Sequence, residues 1–115
     1  MRTWIIDQFE FEDSQSEEAL EVIAAIQSDF PFSDVAKFVA TAVGEQAARN
    51  LVQPSPFDER SGGATVRKYL ERFTGLSLPS PCNWPTHVIS DEWNECHLVI
   101  CGPGQFISYR WSTSA

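Results

Sequence analysis

From Gln105 to Ser112 the side chains alternate: Phe106, Ser108, Arg110 and Ser112 project one way, and Ile107, Tyr109 and Trp111 the other. A two-residue period of this kind belongs to a strand whose two faces meet different surroundings. The stretch Glu95 to Cys101 precedes it across Gly102-Pro103-Gly104, a short glycine-rich link of the type that closes antiparallel hairpins. Thr86 to Ser90 reads as a third strand. The C-terminal third is therefore expected to be a sheet, one face of which covers helices.

Upstream, Thr3 to Phe11 alternates loosely and is rich in aromatic and β-branched residues, which predicts an opening strand. Ser14 with Glu17 three residues on has the form of a capping box, and Ala19, Leu20, Val22, Ile23 and Ile26 follow at helical spacing. That pattern predicts a helix from about Ser16 to Ser28. Pro31 breaks the chain, and Ser33 can cap a second helix over Asp34 to Leu51, with Val35, Phe38, Val39, Ala42, Val43 and Ala47 as its apolar stripe. After a loop over residues 53–63, Val66, Tyr69, Leu70 and Phe73 mark a third helix ending at Gly75, and a second loop carries Cys82, Asn83 and Trp84. The expected architecture is a single α+β domain spanning residues 1–115, with three helices on one face of a small, mainly antiparallel sheet in the order β-α-α-α-β-β-β.

The formal net charge is −8, and all of it comes from the first third. Residues 1–34 hold nine acids (Asp7, Glu10, Glu12, Asp13, Glu17, Glu18, Glu21, Asp29 and Asp34) against Arg2 alone, whereas residues 35–115 balance seven acids with seven bases. A concentrated anionic face repels nucleic acid and phospholipid headgroups and attracts cationic surfaces. Neither nucleic acid nor membrane is expected as a partner. No apolar run approaches the length of about 20 residues that spans a bilayer, and Asp7 interrupts the N-terminal apolar stretch before it could form a secretory signal. Three cysteines without framework spacing fit reduced thiols and a cytoplasmic location.

Catalytic motifs are weak. Cys82, His87, Cys96, His97 and Cys101 lack the paired spacing of a zinc site, because Cys96 and His97 are strand neighbours that face opposite ways, leaving His97 and Cys101 to share a face. A Cys–His nucleophile pair would need an orienting third group that the sequence does not identify. Asp58 with Glu59, and Asp91 with Glu92, fall in predicted turns, where acids make local hydrogen bonds. Ser61-Gly62-Gly63-Ala64-Thr65 lacks the lysine of a phosphate-binding loop. No catalytic residue, metal or cofactor is assigned.

The charge block Glu10 to Glu21 and the aromatic tail Ile107-Ser108-Tyr109-Arg110-Trp111-Ser112-Thr113-Ser114-Ala115, on a small acidic chain, resemble the immunity proteins that bacteria make against their own secreted toxins. The resemblance implies one-to-one binding to a cationic toxin domain, often a nuclease, with occlusion of its active site. On the residues, the expected partner surface is Glu10, Asp13, Glu17, Glu18 and Glu21, with Trp84 as a hydrophobic anchor. Two alternatives are a nucleic-acid mimic that blocks a DNA- or RNA-binding complex, and a small metal-binding or enzymatic domain built on Cys96, His97 and Cys101.

Overall fold

In a computed structural model of the chain, residues 1–7, 11, 17–58 and 62–113 are described. One antiparallel sheet organises them: β1 (Arg2–Ile6), β2 (Glu18–Ile26), β3 (Ser55–Pro56), β4 (Pro85–Glu92), β5 (Glu95–Gly102) and β6 (Gln105–Thr113), in the spatial order β1-β2-β6-β5-β4-β3. The helices are α1 (Val35–Ala42), α2 (Glu45–Arg49) and α3 (Ala64–Thr74). The β5–β6 hairpin forms as its alternation predicts, with Gly102 opposite Gln105 and Gly104 in the left-handed region (φ 71°) that closes a two-residue turn. No helix of the described residues is long and apolar enough to cross a membrane.

The predicted first helix is instead strand β2, which pairs with β1 on one side and β6 on the other. The run Ala19 to Ile26 is nearly all apolar, and such a run fits a helix stripe or a strand covered on both faces equally well. Its environment decides. Leu20, Val22, Ile23, Ala24 and Ala25 are all buried, so both faces of the strand are used. The element order is therefore β-β-α-α-β-α-β-β-β, and the expected order with three successive helices does not hold.

Burial of both faces of β2 follows from a second departure: the helices lie on both sides of the sheet, not one. On one face Leu20, Val22, Ile100, Ile107 and Tyr109 pack with Val66 and Leu70 of α3. On the other, Ile23, Ala25, Val99 and Phe106 pack with Phe38 and Val39 of α1. Phe38 stacks on Phe106 at a centroid separation of 5.2 Å, and Phe30 meets Phe38 edge-on at 5.6 Å. Helix α1 is capped by Asp34, whose Oδ1 accepts from the Ala36 amide at 2.8 Å, rather than by the predicted Ser33. The second predicted helix is split at Gly44, where φ of 150° suits glycine and ends the helix. Helix α3 keeps its predicted span and its glycine cap, Gly75 at φ 74°.

Trp84, predicted to sit in a loop, is half-buried and packs against Gly102. A Cβ at residue 102 would come within 2.6 Å of its ring. The variant Gly102→Ala must push Trp84 off the first core cluster, with an expected loss of about 1–3 kcal/mol. Chemical denaturation checks this, and an unchanged midpoint would show that the indole does not rest there.

Candidate functional site

The strand registers gather residues that are far apart in sequence at one end of the sheet. Ile6 pairs with Leu20, Glu18 with Thr113, Glu95 with Ser112 and Glu92 with Glu95. Asp7, Glu17, Glu18, Glu21, Asp91, Glu92 and Glu95 therefore share that end, with Arg110 the one base on the strand ends there among the described residues. Arg2, opposite Ala24, lies toward the other end. The acids Asp91, Glu92 and Glu95 belong to the segment whose overall charge is zero. The sequence concealed their contribution because their closeness to Glu17 and Glu18 depends on pairing through β6.

The predicted partner residues are distributed differently from a helical face. In a strand, successive side chains point to opposite faces, so Glu18 lies on the α3 side and Glu21 on the α1 side. Glu18 accepts a hydrogen bond from the Trp111 indole at 3.0 Å, an interaction that links β2 to the neighbouring β6. Glu21 sits opposite Arg110, whose Nε is 3.6 Å from Glu95 Oε1. The guanidinium is half-exposed, so the pair contributes about 0–1 kcal/mol and leaves the end anionic. Glu17 is exposed. Glu10 and Asp13 lie outside the described residues, in the connection between Asp7 and Glu17.

Among the described residues, Glu21, Arg110 and Glu95 lie outside the core cluster that α1 and α2 form with the sheet. The second core cluster reaches Ile23 and Val99, and beyond it the face carries Glu21, Arg110 and Glu95. At the tip of the β4–β5 hairpin Trp93 is 75% exposed, whereas the expected anchor Trp84 is half-buried. Beside it Asn94 Oδ1 is buried with no hydrogen-bond partner among the described residues. An unmatched buried acceptor carries a desolvation cost, which a donor arriving from outside would relieve.

The cysteine and histidine chemistry is quiet. Burial raises the Cys96 thiol, with Asp91 acting in the same direction, and burial pushes Cys101 up to about 11, so both are thiols at neutral pH. His97 and Cys101 do share a face, but four steps along the strand set them about 13 Å apart, too far for one metal ion. Among the described residues no group of three or more metal-ligating side chains occurs. His87 Nδ1–H donates to the Val52 carbonyl at 2.8 Å and ties the preceding loop to β4. Arg67 donates to the carbonyls of Leu78 and Pro79, both at 2.7 Å, so this base of the third helix holds a loop in place.

His97 Nε2 lies 3.2 Å from Ser108 Oγ, with both residues buried. Burial is the main cause that lowers His97 from 6.5 to about 4; Arg110 adds to it and Glu95 opposes it. In the unfolded chain this ring takes up a proton as pH falls through about 6.5, whereas in the folded protein it stays neutral until about 4. Its contribution is thus complete above pH 6.5 and drains away between 6.5 and 4, by up to about 3 kcal/mol. Urea unfolding of wild type and His97→Gln across that range should give a steeper acid loss for wild type; parallel curves would contradict it.

No protein-family model, curated protein or solved structure matches this chain, so the reading of the site rests on its own residues.

Proposed function

We propose that the chain is a non-enzymatic binding protein that docks a cationic protein through the acidic end of its sheet. The observation that carries this reading is the convergence there of acids from both halves of the sequence around the exposed Trp93. Such a surface supplies long-range attraction from its carboxylates and a rigid aromatic anchor at its edge. Glu17, Glu18 and Glu21 belong to it on β2 and its approach, and Glu10 and Asp13 fall in the adjoining connection. Trp84 supports the sheet beneath. Within this reading the partner is a cognate toxin domain that uses basic residues to bind phosphates, and the chain acts as its immunity protein in the cytoplasm, occluding that site.

The test uses the full chain as bait in an extract of its native host at low salt, beside the variant Glu17→Lys/Glu21→Lys/Glu92→Lys. A basic protein retained by wild type, released by about 0.5 M salt and missed by the variant is the expected result. The immunity reading further requires that this protein be toxic when expressed alone and harmless when the chain is co-expressed. Equal retention by bait and variant would remove the acidic end from the account. Retention of several unrelated DNA-binding proteins would favour a nucleic-acid mimic instead.

A further inference from the structure

Strand β2 runs from Glu18 at the acidic end of the sheet to Ile26 at the other, and the chain then turns through residues 27–34 before α1. In that turn Phe30 packs with the second core cluster, edge-on to Phe38 at 5.6 Å and to Phe106 at 6.0 Å. Phe32 does the opposite: it is 102% exposed, the most exposed large apolar side chain among the described residues. Phe32 and Ser33 both have left-handed backbone (φ 58° and 51°), a conformation that costs free energy in any residue but glycine. Beside the turn lies a groove of about 570 Å³ between residues 29–34, α1 and α2, with Phe30, Pro31, Ala36, Ala40 and Ala48 as its apolar lining. We propose that two copies of this chain associate here about a two-fold axis, the Phe32 ring of each seated in the groove of the other.

Shape and charge both favour a second copy as the occupant. Pro31 and Asp34, on either side of Phe32 and Ser33, line the groove, so ring and groove lie next to each other and a two-fold pair uses each of them twice. The groove carries three acids, Asp29, Asp34 and Glu45, and two bases, Lys37 and Arg49. Among the described residues none of these five forms an ion pair within the chain. Two copies turned about the axis can therefore set unlike charges against each other, whereas a partner of a single sign meets repulsion from part of the rim. Glu18, Glu92 and Glu95 stay at the far end of each sheet, so the joint does not press the acidic ends together.

The turn presents the ring in a fixed place. The Ser33 amide donates to the Phe30 carbonyl and the Asp34 amide to the Pro31 carbonyl, both at 3.1 Å, while the Gln27 amide donates to Gly104 at 2.9 Å and ties the start of the segment to the β5–β6 turn. A contact held ready in this way loses little freedom on association. Fully exposed, the Phe32 ring buries nothing in its own chain, so no packing of its own offsets the strained backbone that carries it. An aromatic side chain can bury about 150–250 Å². Two such rings and a charged rim make a joint of the small, reversible class, below about 1,200 Å² in total, which forms at micromolar concentrations and above. The inference is independent of the docking reading, because it uses the other end of the sheet.

The experiment is sedimentation equilibrium of the full chain from about 1 μM to about 1 mM, in about 0.15 M salt, which screens the net charge of −8 beyond about 8 Å. The mass of the wild type should climb from 12.9 kDa toward twice that value. Phe32→Ala, which removes the ring, and Ala40→Arg, which fills the groove, should each stay at the monomer mass, and Phe32→Trp should associate as wild type does. At about 1 μM all four proteins should share one urea midpoint, which shows that the variants fold, whereas at about 1 mM only wild type and Phe32→Trp should gain stability by mass action. Amide shifts that grow with wild-type concentration should fall within residues 29–49. A wild type that stays monomeric to about 1 mM, a dimer that survives Phe32→Ala or Ala40→Arg, or concentration-dependent shifts confined to β1 or the acidic end would overturn the proposal.

Discussion

Phe38→Ala should cost about 3–5 kcal/mol of folding stability, the largest loss expected from a single substitution in this protein. Phe38 is 0% exposed and stacks on Phe106 in the centre of the second core cluster. Helix α1 has eight residues and α2 has five, lengths at which a helix in water does not persist without packing. Truncation at Phe38 therefore removes the contact on which that whole helical layer rests. Against a typical total of roughly 5–15 kcal/mol the effect is large. Urea denaturation measures it, with Phe32→Ala as the control: Phe32 is 102% exposed and its loss should stay within about 0.5 kcal/mol. A cost below about 1 kcal/mol at Phe38 would mean that the α1–α2 layer does not stabilise the sheet.

Trp93→Ala should weaken partner binding by about 2 kcal/mol or more, roughly thirtyfold, while leaving folding unchanged. Its indole stands out at a hairpin tip among Glu92, Glu95 and Asp91, and its removal strips contact area from a complex without opening the core. Most of the change belongs in the dissociation rate, since the steering charges remain. Trp84→Ala should behave in the opposite way, because that ring packs with the first core cluster and on Gly102: a loss of stability, with the acidic end intact. Dissociation rates and denaturation midpoints of the two variants, measured side by side, separate the anchor from the lid. Unchanged dissociation in Trp93→Ala would remove it from the interface.

Much of the fold was legible in the sequence where the signal is local. The alternation of Gln105 to Ser112, the Gly102-Pro103-Gly104 turn and the α3 stripe ending at Gly75 all depend on neighbouring residues, and all appear where the pattern places them. Strand β2 does not follow its helical pattern because Ala19 to Ile26, Glu21 apart, is apolar toward both faces. Its period carries no information about which face is buried when helices cover both. The candidate site was half legible. The charge of Glu17, Glu18 and Glu21 could be counted, but a strand sends Glu18 and Glu21 to opposite faces, and the reinforcement by Asp91, Glu92 and Glu95 comes through β6, which sits between their strands. Likewise, nothing local distinguishes Trp84 from Trp93. One meets a glycine about 18 residues away, and the other meets solvent.

The central claim is that carboxylates gathered at one end of the sheet draw a basic protein to this chain. The association rate of the purified partner, measured by stopped flow as ionic strength rises from about 20 to about 500 mM, addresses it most directly. A rate that falls by about tenfold or more, and that begins low and changes little in Glu17→Lys/Glu21→Lys/Glu92→Lys, is the predicted result. Rates that ignore salt in both proteins would contradict the claim.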